Sequence, residues 1–323
     1  MLDDYHTVLR LINSHVSLPL VYAGCHEVLR SRMPAPNLYV CILEAEGLRF
    51  PYYEDEQLPE NPLEIYPKEG LTGYVIDTGQ RFWWSKDRQP PEEATPVGPI
   101  PQDWVGVPLI NRDGSVLGVL AIQTYQSGTF YSEADVAFIE FVADALSVAI
   151  QLARQDREIA IRRIAALVEE TIEITDLYPK IHEVMQLIIP AARKNIYIAR
   201  VDEASGMFLP VYWRDERDSY DTMEWPLHLG FSGYIYSITQ KSFIYEDGRS
   251  TMPPEVIPIG SPSTYWLGAP LFSQDRIIGI VVIQSYNSTD IITKEDQYAL
   301  NGICPYIAST ISRTELFSRL QRP

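Results

Sequence analysis

The chain has 323 residues, 46% of them hydrophobic and 21% charged, which is the composition of a folded protein with room for two domains of ordinary size. Its formal net charge of −17 disfavours nucleic acid and anionic membranes as partners, because both attract basic surfaces. Three cysteines without close spacing exclude a disulfide framework. The N-terminus lacks a secretory signal pattern and no apolar run approaches the ~18–20 residues needed to span a bilayer, so we expect a cytoplasmic protein.

The first half of the chain predicts a mixed set of helices and strands. A helix is predicted first, over 2–32, and Pro19 breaks or kinks it. Strands follow over 37–44 and 48–53, then a short helix between Gly70 and Gly79 and a strand over 81–85. After a proline-rich surface loop over 86–101, two strands over 104–110 and 116–125 are joined by the turn Asn111-Arg-Asp-Gly114.

A long helix is predicted next, with Ser132 as its N-cap and acidic residues in its first turn. No glycine or proline occurs from residue 132 to 178, which predicts about 40 helical residues. Four of its apolar residues lie three and four apart, and we expect them to pair two copies of the chain as a homodimer: Ile161, Ile164, Val168 and Ile172.

Four blocks of the first half return in the same order about 160 residues later. The paired blocks are 37–44 and 195–202, 70–80 and 230–240, 104–109 and 266–271, and 118–125 and 279–286. A period this long indicates a duplicated domain rather than a solenoid repeat. We predict a first domain over 1–153, a connecting helix over 154–175 and a second domain over 176–323, whose last helix starts at Thr293 and is interrupted by Gly302 and Pro305.

The repeated motifs resemble those of the GAF domain family of small-molecule sensors. The motifs are a Gly-x-x-Gly-Tyr helix start, a Val/Ala-Pro-Leu strand, a glycine opening the next strand, and a Ser/Thr-x-x-Asp helix start. In this order they lie at Gly70, 107–109, Gly118 and Ser132 in the first half of the chain. In the second half they lie at Gly230, 269–271, Gly279 and Thr293. The resemblance implies an α+β fold: two GAF domains, each a six-stranded antiparallel sheet flanked by helices, joined by the long connecting helix, with a ligand cavity under loops.

Aromatic residues with a few polar neighbours suit a cavity for a flat organic ligand, whose identity the sequence leaves unknown. Since Trp83 and Trp84 are adjacent in one strand, they must face opposite sides of the sheet, and we expect the two cavities to differ in size and chemistry. The candidate ligand-binding residues are Tyr39, Tyr52, Thr72, Tyr74, Trp83, Trp84, Trp104 and Gln123 in the first copy, and Tyr197, Tyr212, His228, Tyr234, Tyr245, Trp266 and Gln284 in the second, with Arg81, Arg200 and Ser232 as further polar candidates.

Neither a catalytic signature nor a metal-binding spacing of histidine and cysteine occurs in the sequence. We therefore expect a non-catalytic sensor that binds a small molecule or a partner protein and signals through a helical dimer. One alternative is the sensory region of a larger histidine kinase or diguanylate cyclase. Another is a redox enzyme similar to free methionine sulfoxide reductase, which would need Cys25, Cys41 or Cys304 as a reactive thiolate. Cyclic nucleotides are disfavoured, because Thr124-Tyr125 and Ser285-Tyr286 replace the Asn-Lys pair of the GAF domains that bind them.

Overall fold

The computed structural model describes residues 2–13, 17–58, 65–170, 174–219 and 224–320. The chain divides into two compact units, Met1–Arg154 and Gln155–Pro323. The residues predicted as a separate connecting helix, 154–175, thus fall almost entirely in the second unit.

The first unit is a sheet with helices on one face and a short helix on the other. Its elements are α1 (Leu2–Asn13), α2 (Leu18–Arg32), β1 (Asn37–Glu44), β2 (Gly47–Glu54), α3 (Gly70–Thr78), β3 (Phe82–Ser85), β4 (Asp103–Ile110), β5 (Val116–Thr124) and α4 (Glu133–Glu170), which continues into the second unit. Pro19 lies in the first turn of α2, where its missing N–H removes no helical hydrogen bond. The predicted helix over 2–32 is therefore two helices.

The strands of the first unit pair antiparallel in the order β2-β1-β5-β4-β3. Within the described residues this sheet has five strands rather than the six expected. A single bridge between Leu48 and Tyr66 lies on the outer side of β2, where a sixth strand would pair.

The second unit repeats this arrangement with all six strands. After α5 (Ile174–Ile188) its elements are β6 (Ile196–Asp202), β7 (Met207–Arg214), β8 (Trp225–Pro226), α6 (Gly230–Tyr234), β9 (Phe243–Glu246), β10 (Tyr265–Ser273), β11 (Arg276–Ser285) and α7 (Lys294–Leu320). The order β8-β7-β6-β11-β10-β9 is that of the first sheet with β8 added. The pair Phe208–Trp225 of β7 and β8 occupies the position of the Leu48–Tyr66 bridge. A π-helical turn, Ile235–Thr239, follows α6, whereas α3 is a regular helix.

The predicted length of the long helix agrees with α4, which has 38 residues, whereas the predicted interruption of the last helix is wrong. Helix α4 is described only to Glu170 and α5 begins at Ile174, so Ile172 lies outside the described residues. Helix α7 runs without a break through Gly302 and Pro305. Proline removes one helical hydrogen bond, but α7 covers the second sheet with buried Ile303 and Ile307, and this burial holds the helix together across the missing bond.

The apolar stripe predicted to pair two chains is used inside the second unit. Ile164 is fully buried and Val168 is 7% exposed, both in the core formed with α5, α7 and the second sheet. Ile161 packs against the same core, with its Cδ1 3.0 Å from where a Cβ on Gly302 would stand. The spacing identified a buried helix face correctly, but α5, α7 and the second sheet of the same chain cover it.

Helix α4 is long and apolar enough to cross a membrane by length and composition alone, with a mean hydropathy of 1.8 in its most apolar window. That window is 56% buried inside the fold. Phe138, Ile139 and Val142 of α4 pack in the core between the first sheet and α1 and α2. Core helices commonly have this composition, since one face is covered by apolar neighbours.

Candidate functional site

A cavity lies on the face of each sheet opposite the long helices. In both units it is bounded by the sheet, by the N-terminus of the short helix α3 or α6, and by the proline-rich loop that precedes β4 or β10. The first cavity has a volume of about 220 Å³ and the second about 370 Å³. Pockets for small organic ligands have volumes of about 300–1,000 Å³, and only the second cavity is in this range.

A buried tyrosine anchors the short helix to the sheet in each cavity. The hydroxyl groups of Tyr39 and Thr72 share a hydrogen bond of 2.8 Å, and the Trp104 indole N–H donates to Tyr39 at 3.1 Å. In the second unit Tyr197 and Ser232 share a bond of 2.9 Å, and Trp266 bonds to the same tyrosine. Burial raises the pKa of Tyr39 and of Tyr197, so both phenols stay protonated.

Each of these tryptophans lies over a glycine two residues later in its strand. A Cβ on Gly106 would stand 2.0 Å from the Trp104 ring, and a Cβ on Gly268 would stand 2.2 Å from the Trp266 ring. Only glycine leaves room for the indole in this position. The repeated Trp-x-Gly sequence therefore places a large ring flat against the cavity floor.

A second repeated network braces the loop that follows β2 and β7. The Gln123 side-chain amide donates to Asp55 at 2.5 Å, and the Tyr125 hydroxyl donates to the same carboxylate at 3.0 Å. Gln284, Tyr286 and Asp215 repeat this triangle with distances of 2.6 and 2.9 Å. Asp55 and Asp215 each also accept two backbone N–H groups from the residues that follow them. The brace fixes the start of the loop beside the cavity.

The proline-rich loop covers each cavity with an apolar side chain followed by a glycine. Val97 lies 3.1 Å from where a Cβ on Gly70 would stand, and Ile259 lies 3.0 Å from where a Cβ on Gly230 would stand. The glycines after them, Gly98 and Gly260, have φ values of +82° and +76°. We call residues 95–101 and 257–263 the two lids.

The second lid is held by polar bonds to the loop after β7. The Asp218 carboxylate accepts the Ser261 hydroxyl at 2.7 Å and the Ser261 backbone N–H at 3.0 Å. The Gly230 N–H, at the start of α6, donates to the Ile257 carbonyl at 2.8 Å. In the first unit the residue next to the lid glycine Gly98 is Leu58, whereas Asp218 lies next to the equivalent Gly260 in the second unit. An apolar contact therefore replaces the Asp218 carboxylate at the first lid.

Aromatic rings form most of the wall of the second cavity. Tyr197 stacks on Trp213 with ring centroids 4.8 Å apart, and Trp225 meets Tyr197 edge-on at 5.5 Å. Phe231 packs against Tyr245 at 4.8 Å and against Trp266 at 5.0 Å. All six of these side chains line the cavity.

Eight of the fifteen predicted ligand-binding residues line a cavity. They are Tyr39, Thr72, Trp104 and Gln123 in the first unit and Tyr197, Tyr245, Trp266 and Gln284 in the second, joined by Ser232 from the further candidates. Whether they bind a ligand stays a prediction.

The other seven predicted residues do not line the cavities: Tyr52, Tyr74, Trp83, Trp84, Tyr212, His228 and Tyr234. Tyr52 and Tyr212 point to the helix face, where their hydroxyls bond to His26 and His182 at 2.8 Å. Trp83 also packs on the helix face, whereas Trp84 is on the cavity face but beyond the cavity, so the two do face opposite sides.

The short helices and the loop before α6 direct the remaining residues outward. Tyr74 contacts Phe82, and Tyr234 contacts Phe243, on the far side of each short helix. His228 is exposed. Of the further candidates, Arg81 pairs with Glu140 of α4 at 3.1 Å, and neither it nor Arg200 lines a cavity.

Several lining residues escaped sequence reasoning, above all Trp225, Phe231, Asp218 and the two lids. The lids do carry a signal, because Pro96-Val-Gly98 and Pro258-Ile-Gly260 both precede the cavity tryptophan by the same spacing. This agreement was hidden by the proline-rich composition, which predicted only a surface loop.

The three cysteines lie in separate hydrophobic clusters, and burial raises the pKa of each thiol to about 12. None of them lines either cavity. Among the described residues, no three His, Cys, Asp or Glu side chains lie close enough together to hold a metal ion.

Comparison with known families assigns the first unit. A family model described as GAF domain matches residues 21–151. This chain contains a GAF domain. The matched residues include every strand of the first sheet, α3 and the first lid, so the first cavity is a cavity of the GAF domain. No curated protein matches the chain.

Solved GAF structures are among those similar to this chain. One is the GAF domain of a phosphoenolpyruvate-protein phosphotransferase from Acinetobacter, with 23% identity, 48% of this chain and 94% of that chain covered, and a TM-score of 0.40. Another is a putative GAF sensor protein from Burkholderia vietnamiensis, with 14% identity, 45% of this chain and 89% of that chain covered, and a TM-score of 0.38. A third similar structure is a free methionine-R-sulfoxide reductase from Neisseria meningitidis, with 16% identity, 51% of this chain and 92% of that chain covered, and a TM-score of 0.42.

Proposed function

We propose that the chain is a tandem GAF sensor in which the second unit is a second GAF domain and its cavity is the ligand site. One observation carries the proposal: the cavity of the GAF domain recurs in the second unit, contact by contact, in an enlarged form. The Tyr197–Ser232–Trp266 group matches Tyr39–Thr72–Trp104. The brace and the lid recur in the same way.

The ligand site is assigned to the second unit because of its size and its lining. Its volume of about 370 Å³ suits a small organic molecule. Six aromatic residues are among the described lining residues of each cavity, but three of them are tryptophans in the second cavity and one in the first, so the second offers more flat apolar surface. The first cavity, at about 220 Å³, is smaller, and Val97 of its lid and Leu58 are among its lining residues. We infer that the first domain has a structural role.

Binding without turnover is the activity that this lining supports. Acid–base or nucleophilic catalysis needs two or three converging groups, one of them with a tuned pKa. The buried thiols, with pKa values raised to about 12, are poor nucleophiles and lie away from the cavities, which argues against a reductase.

We further propose that α4 joins two chains in a cytoplasmic homodimer through residues other than those first expected. Val148, Leu152 and Ile159 are apolar and exposed on α4. Their spacing of four and then seven residues is that of the contact positions in a coiled coil, which favours a second copy of the same helix as the partner. Binding in the second cavity would then be transmitted to an effector or partner protein through this pair of helices.

A blocking experiment tests the assignment of the site. Ser263 and Pro101 stand at the same position of the two lids, three residues before the cavity tryptophan, and both line their cavities. Ser263→Trp should fill the second cavity and Pro101→Trp the first. With indole as a flat aromatic probe, we expect calorimetry to show saturable binding to the parent protein and to Pro101→Trp, and none to Ser263→Trp. Binding that survives Ser263→Trp would contradict the assignment.

A further inference from the structure

The second cavity is lined by acidic and not by basic side chains. Asp218 and Asp247 are among its lining residues, and the described residues around it include no lysine, arginine or histidine. Nearby arginines are engaged elsewhere: Arg217 lies over the Tyr286 ring at 4.4 Å, and Arg249 pairs with Glu246 at 3.3 Å. A ligand in this cavity therefore meets carboxylates and no positive charge.

The aromatic rings of the cavity have the character of a cation-binding wall. A cation is attracted to the face of tryptophan, tyrosine or phenylalanine within about 6 Å of the ring centre, and most strongly to tryptophan. Three tryptophans line this cavity, namely Trp213, Trp225 and Trp266, together with Tyr197, Phe231 and Tyr245. The first cavity has Trp104 as its only tryptophan among the described lining residues.

The two carboxylates occupy different parts of the cavity rim. Asp218 is half-buried beneath the lid, where it bonds to Ser261. Asp247 is exposed in the turn that follows β9, and its carboxylate accepts a hydrogen bond from the Tyr245 hydroxyl at 3.3 Å. A positively charged group between the rings would have one carboxylate at the lid and another at the opening, and both interactions favour its transfer from water.

From this lining we infer that the second cavity binds an organic cation, a substituted ammonium group with an apolar surface. The inference rests on the proposed function of the cavity and narrows its ligand class. An anion such as a nucleotide would lose its hydration without gaining a basic partner. A neutral ligand would keep the apolar contacts but leave the ring faces and the carboxylates without a positive partner. The net charge of −17 also attracts cations to the protein.

Three probes of nearly equal shape separate charge from size. Choline carries a trimethylammonium group, 3,3-dimethylbutan-1-ol is its neutral carbon analogue, and 3,3-dimethylbutanoate is an anion of similar bulk. Dissociation constants are measured by calorimetry on the full chain and on Ser263→Trp. We expect choline to bind about tenfold or more tightly than the neutral analogue, the anion not to bind, and Ser263→Trp to abolish binding of choline.

A pair of neighbouring variants tests the role of the carboxylate. Asp247→Asn removes a charge at the cavity opening, whereas Glu246→Gln removes one from the adjacent residue, which does not line the cavity. We expect Asp247→Asn to weaken choline by about threefold to tenfold and to leave the neutral analogue unchanged, and we expect Glu246→Gln to change neither.

The outcomes distinguish the inference from the function beneath it. If the neutral analogue or indole binds in the second cavity as tightly as choline or more tightly, the cation inference is overturned and the ligand site stands. If choline binds equally well to Ser263→Trp, its site is elsewhere and the inference also fails. If no probe, indole included, binds to the parent protein, both the inference and the proposed ligand site are wrong.

Discussion

The bond between Asp218 and Ser261 gives a sharp prediction about the second lid. Ser261→Ala removes the hydroxyl that donates to Asp218 at 2.7 Å and leaves the backbone N–H of residue 261 in place. The lid is otherwise held by the Ile259 contact and by the bond from the Gly230 N–H to the Ile257 carbonyl. We expect the variant to fold normally and its lid to open more often.

The size of the effect follows from the charge and the exposure of the bond. A hydrogen bond to a charged group contributes about 1.5–3 kcal/mol, and competition from water at a half-exposed site lowers this contribution to about 1 kcal/mol. Taking about 1 kcal/mol, the open fraction of the lid should rise about fivefold, since 1.4 kcal/mol corresponds to tenfold.

Amide hydrogen exchange measures this opening without a ligand. The Gly230 and Ser261 amides are both bonded across the lid, so their exchange rates report its open fraction. We expect both to exchange about fivefold faster in Ser261→Ala, while amides of the sheet core keep their rates.

Ser263→Ala is the matched control, because Ser263 is in the same lid and its side chain has no hydrogen bond to Asp218. Unchanged exchange at Gly230 in Ser261→Ala, or equal acceleration in the control, would refute the reasoning.

Three further predictions concern the dimer, pH and the cavity floor. Leu152→Glu should convert dimers to monomers in light scattering without lowering the unfolding temperature, because the side chain is exposed in the single chain. Burial lowers the pKa of His182 from its ordinary 6.5, so the folded state resists its protonation. Stability should fall as pH drops below about 6.5 and level off below the folded-state pKa, and His182→Gln should flatten this part of the urea-unfolding profile. Gly268→Ala should cost about 1–3 kcal/mol in urea unfolding, because its Cβ would stand 2.2 Å from the Trp266 ring.

Each of these predictions has a result that contradicts it. A monomer already present in the parent protein would remove the dimer. An unchanged slope in His182→Gln would mean that His26, whose pKa burial also lowers, dominates that pH range. A loss below about 0.5 kcal/mol in Gly268→Ala would mean that the indole can shift at little cost.

The repeated sequence blocks predicted much of the fold because they contain residues with strict backbone or packing roles. The glycine at the start of each short helix has a positive φ, 68° at both Gly70 and Gly230. The Asn111–Gly114 turn closes by a bond of 2.9 Å between its first carbonyl and last N–H, as its composition indicates. The Ser132 hydroxyl donates to Asp135 at 2.7 Å in the predicted helix start.

The errors arose where tertiary packing decides between local alternatives. The spacing of Ile164 and Val168 shows that one helix face is buried, but it cannot show whether the cover is a sheet or a second chain. Pro305 lowers helix propensity locally, yet burial of its neighbours outweighs that cost.

In the candidate site, strand alternation predicts that neighbouring residues face opposite sides of the sheet, but it does not predict which of the two faces the cavity. Tyr52 and Tyr212 are predicted cavity residues, but their neighbours Tyr53 and Trp213 line the cavities instead. Both predictions are inverted in the same way because the pairing shifts register at an irregularity between the first two strands of each unit. Trp225 and Phe231 depend on long-range closure of the cavity, which local patterns do not encode.

Native mass spectrometry with indole tests the central proposal most directly, because it counts both chains and bound molecules. We predict one indole per chain in a dimer, retained in Pro101→Trp and lost in Ser263→Trp. Two indoles per chain, none, or loss of binding in Pro101→Trp instead would contradict the assignment of the ligand site to the second cavity.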